Sequence, residues 1–391
     1  MVKTRVKRLL RSLAVYVYVP ILAVSLALYM FPSFQREVLF LHNLRWPIPA
    51  SRYVDLEYTF GRADVDKYSI KNVQVVSFPS ASSTSDDPEE LPIVLKGYKI
   101  SPPTLLNPTF KRKAGRKSPV ILFFHGNGSS RALSWRRRHV MNLADANAIV
   151  YAFDVRGYGD VPGWPTQAGV LQDSLAIYNF VRMNKEENEG RDIFLYGHSL
   201  GTAIASQLAH AVCGGLTGSE GCVDDTHEVL LSGLILDSPF VNASIAALHH
   251  PTTLPIRLLV PFAKELILDG IVDKFRTDVF LSEIDVPVFI VQGDADGEIP
   301  PEKAGGIVLE KALVGRREIN RKNKHAKIVK GLGEASVQRR EVQHANHENV
   351  HEMTGFAGIV FEFMQQCVVN YNGVYSRKEL QRKAHLSHMQ V

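Results

Sequence analysis

Cysteine is scarce. Three in 391 residues are too few for a fold stapled by disulfides. Stability must come from a buried core, which a chain of this length can build. A metal-binding pattern is also missing. The 14 histidines are scattered, and no His-x-x-x-His or Cys-x-x-Cys grouping has a matching partner, so no metal is expected. No internal repeat recurs, which argues against a solenoid or propeller. Strong charge bias is absent too. The net charge of +5 comes mostly from the N-terminal arm, a stretch near residues 316–340 and the C-terminal tail. These read as solvated basic segments, not as a nucleic-acid surface.

One stretch lacks charge altogether. Residues 12–31 contain no Asp, Glu, Lys or Arg. At about 1.5 Å per residue that run spans roughly the 30 Å hydrocarbon core of a bilayer. Lys3, Arg5, Lys7, Arg8 and Arg11 precede it without an acid. It ends in Tyr29-Met30-Phe31-Pro32, unlike the small-residue site at which a signal peptide is cut. The expected layout is a basic cytoplasmic arm (1–11), a transmembrane anchor (12–31), a connector (32–50), a globular unit (51–370) and a basic tail (371–391). The basic flank stays cytoplasmic, which places the globular unit in the lumen of the endoplasmic reticulum. In that oxidising setting Cys213 and Cys222, flanking a Gly-rich loop, are candidates for a disulfide. Asn242-Ala243-Ser244 is a candidate glycosylation acceptor. Cys367, in an apolar helical stretch, is expected to be a buried free thiol.

Beyond residue 50, short apolar runs alternate with helical patterns. Strands are expected at 53–60, 71–78, 92–100, 119–124, 148–153, 193–196, 230–236, 286–291 and 325–330. Helices are expected at 131–146, 166–183, 202–210, 302–313 and 353–369. After an antiparallel start, this order predicts an α/β fold with a mainly parallel sheet and helices on both faces. Sites in such sheets form at the carboxyl ends of strands. Residues about 238–285, with Pro251, Pro255 and Pro261, break the rhythm and read as a lid over an apolar groove.

The densest signal is Gly197-His198-Ser199-Leu200-Gly201, directly after an apolar run and before a helical pattern. A Gly-x-Ser-x-Gly turn there lifts a serine hydroxyl clear of the sheet. That hydroxyl is a weak nucleophile at neutral pH. It needs a basic imidazole, and the imidazole needs an orienting carboxylate. In chain order the acid comes next, then the histidine. Asp296, just past the 286–291 strand, is the leading acid, with Asp294 and Asp237 as rivals. His347, just before the last helix, is the leading base, flanked by His344 and His351. The backbone N–H groups of Leu200 and Asn127 are the expected oxyanion donors; Asn127 lies in His125-Gly126-Asn127-Gly128. His125 is expected to hold that loop in shape, and His198 to be a packing residue. This chemistry needs no cofactor, and none is expected.

The elbow, the His125-Gly126-Asn127-Gly128 turn, Asp154-Val155-Arg156-Gly157-Tyr158-Gly159 and Asp237-Ser238-Pro239-Phe240 together resemble the α/β-hydrolase superfamily. They are similar, more narrowly, to its membrane-anchored lipases of monoacyl lipids. The resemblance covers about residues 12–370. It implies an α/β-hydrolase fold with a lid insertion and one N-terminal transmembrane helix, and triad roles for Ser199, Asp296 and His347. It also implies ester hydrolysis of a lipid drawn from the bilayer, such as a monoacylglycerol or lysophosphatidylserine. The segments 214–225 and 316–340 stand out as insertions. A serine peptidase or thioesterase would use the same triad, and a non-catalytic membrane scaffold is the remaining alternative.

Overall fold

The strands stack by alternation of their apolar side chains. In β3 (Val120–Phe124), Val120, Leu122 and Phe124 enter one core while Ile121 and Phe123 enter the other. In β5 (Ile193–His198), Ile193 and Leu195 face the first core, and Phe194 and Tyr196 the second. A strand buried on both faces is apolar at every position, which is why these runs carry no polar alternation. The computed structural model describes residues 2–44, 73–80, 92–103, 117–214, 222, 229–260, 262–284, 286–323 and 337–367.

The other strands are β1 (Val73–Pro79), β2 (Val94–Ile100), β4 (Ile149–Asp154), β6 (Gly233–Asp237), β7 (Val288–Gly293) and β8 (Val337–Val342). They form one sheet in the order β1-β2-β4-β3-β5-β6-β7-β8. β1 pairs antiparallel with β2, and β2 antiparallel with β4. Every later pairing is parallel.

Two helices begin the chain, α1 (Val2–Met30) and α2 (Pro32–Phe40). On one face of the sheet lie α3 (Ser134–Asp145) and a final helix at 356–367, burying Val140, Leu143, Val360 and Phe363. On the other lie α4 (Gln167–Met183), whose N-terminal Gly169 N–H is capped by Thr166, and α5 (Leu200–Gly214). The segment expected to form a lid comprises α6 (Ala243–His249), α7 (Leu254–Leu259), α8 (Ala263–Gly270) and α9 (Thr277–Ser282). It is followed by β7 and then by α10 (Gly306–Asn323).

Three features differ from the sequence reading. The last described strand is β8, which the sequence reading does not expect; the expected strands 325–330 and 53–60 lie outside the described residues. β8 is an edge strand with one neighbour, so its exposed residues are polar. Arg339, for example, pairs with Glu310 and Glu341 at 2.7 and 3.0 Å. A polar edge strand reads as a basic loop, and α10 extends into the same stretch from the other end.

The second difference is at 32–44, expected to be a connector. It packs into the globular unit. Phe40 is fully buried, and its carbonyl accepts from Gly128 N–H at 2.9 Å and Tyr158 O–H at 2.7 Å. Arg36 pairs with Asp273 at 2.6 Å. Gln35 donates to the Gly270 carbonyl at 2.6 Å and accepts from Val272 N–H at 3.0 Å.

The third is the membrane run. Among the described residues no single helix is long and apolar enough to cross a membrane. The pair Val15–Met30 and Pro32–Phe40, bent by 102°, together reach that length and composition.

Cys213 and Cys222 form a disulfide, with Cα atoms 4.8 Å apart, and Cys367 is a buried free thiol. Asn242 caps α6, its side-chain oxygen accepting from Ile245 N–H at 2.9 Å, while Ser244 of the same tripeptide is buried. The structure thus gives this candidate glycan acceptor a capping role and hides its serine.

Candidate active site

The elbow is shaped by what glycine omits. A Cβ on Gly197 would collide with the Gly201 carbonyl, and one on Gly201 with the Phe124 carbonyl of β3. Strand β5 and helix α5 can meet only if both positions lack side chains. Ser199 between them has φ of +51°, a left-handed conformation costing an ordinary residue about 1–3 kcal/mol. Its N–H is anchored on the Asp237 carbonyl at 2.9 Å. Its carbonyl accepts from Thr202 N–H at 2.9 Å and from the Thr202 hydroxyl at 2.6 Å.

The side chains read as a triad come together although they lie far apart in sequence. Ser199 Oγ is 2.8 Å from His347 Nε2. His347 Nδ1 is 2.9 Å from Asp296 Oδ2. Asp296 is itself held by four groups. Oδ2 also accepts from Gln292 at 2.9 Å, and Oδ1 accepts from the Glu298 and Ile299 N–H groups at 3.1 and 2.9 Å. Burial alone would raise the Asp296 pKa, but the His347 hydrogen bond and charge hold it below the usual carboxylate range. Burial works against the charged His347 ring, yet the Asp296 hydrogen bond and charge raise its pKa above 6.5.

The rival acids do other work. Asp294 accepts from His344 N–H at 2.7 Å and so closes a turn. Asp237 accepts from the Tyr196 hydroxyl at 2.9 Å and the Ser238 hydroxyl at 3.2 Å. Burial pushes the Asp237 carboxyl up to about 7, the reverse of Asp296. His351 stacks on His139 in the core, ring centroids 4.3 Å apart.

The His347 loop has a second support. His198 Nε2 is 2.9 Å from the His347 carbonyl and the Ser238 hydroxyl 3.4 Å from it. Burial holds the His198 pKa well below the usual imidazole range, so a neutral ring donates there. The residue read as packing thus also holds the His347 carbonyl.

Asn127 and Leu200 both line the cavity beside Ser199. Among the described residues neither backbone N–H has an intramolecular acceptor. The loop carrying Asn127 is held by Arg136, a residue the sequence does not single out. Its guanidinium donates to the carbonyls of Gly126, Asn127, Gly128 and Ser130 at 3.1, 2.7, 2.7 and 3.2 Å. Burial brings its pKa down to about 10, so it stays charged at neutral pH. His125 braces the same loop through Asp154 at 3.0 Å, and Asp154 in turn holds Arg131 at 2.5 Å. Replacing Arg136 by Met is expected to release four carbonyls and displace Asn127. An error of about 1 Å there costs about 10²-fold in kcat; steady-state kinetics beside a thermal melt will separate this from unfolding.

From Ser199 a cavity of about 660 Å³ runs between the lid and the N-terminal helices. Leu28, Leu39, Ala246, Ile267 and Ile271 make much of it apolar. The Tyr29 ring lies against Gly270 of the lid, so α1 forms one wall. Sequence reading missed this wall because the contact is tertiary.

A sheet of this order with a serine at its β5 elbow decides the fold class. The chain has the α/β-hydrolase fold. A family model described as "Alpha/beta hydrolase family" matches residues 121–304. The crystal structure of an alpha-beta hydrolase from Vibrio vulnificus superposes with a TM-score of 0.50 at 19% identity, covering 87% of this chain and 94% of that one. The chain is 32% identical over 185 residues to the lysophosphatidylserine lipase ABHD12 of Danio rerio, spanning 46% of this chain and 44% of the relative. It is 29% identical over 187 residues to protein ABHD12B of Homo sapiens, spanning 47% and 48%. The chain thus spans less than half the length of the curated relatives it matches.

A base whose pKa is raised gives a signed expectation for pH. His347 accepts a proton only when neutral, so kcat/KM is expected to rise with pH through a midpoint above 6.5. The same pairing stabilises the fold fully below the unfolded imidazole value and is lost as pH rises through the folded one. A pH–rate profile with a neutral ester reads the midpoint directly; a midpoint well below 6.5 contradicts the pairing.

Proposed function

We propose that the protein is a membrane-anchored serine hydrolase that cleaves carboxylic esters of monoacyl lipids, lysophosphatidylserine and monoacylglycerol among them. The observation that carries the reading is the Ser199–His347–Asp296 chain, with links of 2.8 and 2.9 Å, at the end of an apolar cavity. The names of the relatives point to the same substrate class.

In this reading His347 Nε2 takes the Ser199 proton as Oγ attacks the acyl carbonyl. Asp296 keeps the imidazole in the right tautomer and stabilises its charged form. The Leu200 and Asn127 N–H groups receive the oxyanion. His347 then gives the proton to the departing alcohol, and the acyl group stays on Oγ. Water, activated by the same imidazole, releases the fatty acid.

The anchor is the N-terminal pair of helices, with the basic arm cytoplasmic and the hydrolase unit in the endoplasmic reticulum lumen. Exposed apolar side chains support a lipid-facing side. Tyr16 of α1 and Phe262 of the lid are each 78% exposed, and Leu258 is 73% exposed. The disulfide agrees with an oxidising compartment.

The test is a panel of a monoacylglycerol, a lysophospholipid, an acyl thioester and a peptide amide, assayed with full-length wild type and Ser199→Ala. Lipid ester hydrolysis that disappears in the variant is expected. Preference for the thioester or amide would move the reading to a thioesterase or peptidase. Lipase activity retained in the variant would remove the mechanism.

A further inference from the structure

We infer that Glu298 sets leaving-group specificity in this site, favouring esters of uncharged alcohols over esters whose alcohol carries a phosphate. The inference rests on the Ser199 hydrolase reading and adds to it a choice between two substrate types.

Glu298 stands in the turn after β7, and its N–H is bound by Asp296, the carboxylate that orients His347. Its Oε2 lies 3.9 Å from His347 Nε2. That nitrogen is the one facing Ser199 Oγ. It must also protonate the departing alcohol, so the alcohol has to sit beside it. The leaving group therefore passes within a few ångströms of a carboxylate. An exposed Glu in a turn is usually solvated surface; the distance to Nε2 separates this one from that ordinary case.

His347, charged during the reaction, offsets part of this carboxylate for either substrate, and the rest of the cavity adds no further cation. Arg36 is the lone Lys or Arg among the described lining residues, and it is already paired with Asp273 at 2.6 Å. Burial lowers the His250 pKa, despite the nearby Glu298 and Asp296 charges, so at neutral pH this ring adds no cation. Among the described residues no Lys or Arg pairs with Glu298. A phosphate held about 6 Å from this carboxylate meets repulsion of about tenfold or more in binding, for an effective dielectric of 20 to 40. Glycerol meets none. The Glu298 side chain is 53% exposed, so solvent and salt moderate the effect and the lower end is expected.

The experiment measures kcat/KM for monooleoylglycerol and oleoyl lysophosphatidylserine in the same non-ionic micelles. It uses full-length wild type, Glu298→Gln and Glu298→Lys. The ratio of the neutral to the anionic substrate is expected to fall about tenfold in the Gln variant and further in the Lys variant. Glu298 also acts on His347, so absolute rates will move, but that change is common to both substrates and cancels in the ratio. In wild type, raising salt from about 20 mM to about 500 mM should lower the same ratio by screening. A ratio unmoved by both substitutions and by salt overturns the inference. Labelling of Ser199 by an uncharged fluorophosphonate separates the two levels. Labelled enzyme with an unmoved ratio contradicts the role of Glu298 alone; folded wild type that does not label overturns the hydrolase reading beneath it.

Discussion

Asp296→Asn is expected to lower kcat by about 10⁴-fold while leaving the fold in place. The carboxylate accepts from His347 Nδ1 at 2.9 Å. An amide there can present its NH₂ to that ring and favour the tautomer that carries its proton on Nε2. Nε2 would then face Ser199 as a donor and could not take the hydroxyl proton. The Glu298 and Ile299 N–H groups hold the other oxygen, which keeps the asparagine carbonyl there and turns its NH₂ toward His347 with the backbone geometry kept. The same change at the rivals should be mild. Asp294→Asn keeps an oxygen for His344 N–H. Asp237→Asn replaces a carboxyl that burial already pushes up to about 7. Steady-state kinetics on the three variants rank the acids without further assumption. A loss at Asp237 or Asp294 as large as at Asp296 would reassign the triad.

Gly201→Ala is expected to cost more than about 4 kcal/mol and to leave little soluble protein. The added Cβ would meet the Phe124 carbonyl, with the His125 carbonyl 2.8 Å away. Both are backbone atoms at the end of β3, a central strand paired on both sides, so neither can move aside. Relief would require parting α5 from the sheet, which opens the core around Ala203 and Leu208. It would also displace Ser199, whose φ of +51° is imposed by this packing. Gly358, in the last helix, is a fair control, since a Cβ there meets open space. Expression yield and thermal melting of the two alanine variants measure the difference. Normal melting of Gly201→Ala would show that the elbow does not depend on this contact.

What the sequence disclosed and what it hid follow from burial. Strands β3 to β7 were legible because a strand covered on both faces is apolar throughout. The elbow was legible because its glycines are demanded by close approach. β8 was not, since an edge strand with solvent on one side carries charges such as Arg339 and Arg340. The acid was narrowed to three carboxylates, and only spatial partners separated them: His344 N–H for Asp294, Tyr196 for Asp237, His347 for Asp296. Arg136 looked like one of several surface bases in a helix that reads Trp-Arg-Arg-Arg. Its role emerges only when four carbonyls of a loop earlier in the chain turn toward it. The segment 32–44 gave no local sign that Leu39 and Leu41 would line the cavity. Glu298 likewise acquires meaning only from the ring atom 3.9 Å away.

The most direct measurement of the central claim is peptide mapping after reaction with an alkyl fluorophosphonate, on wild type and on His347→Ala. Covalent modification at the Ser199 hydroxyl, lost when the imidazole is removed, is the predicted result. Folded, active wild type that stays unmodified at Ser199, or is modified at a different residue, would contradict it.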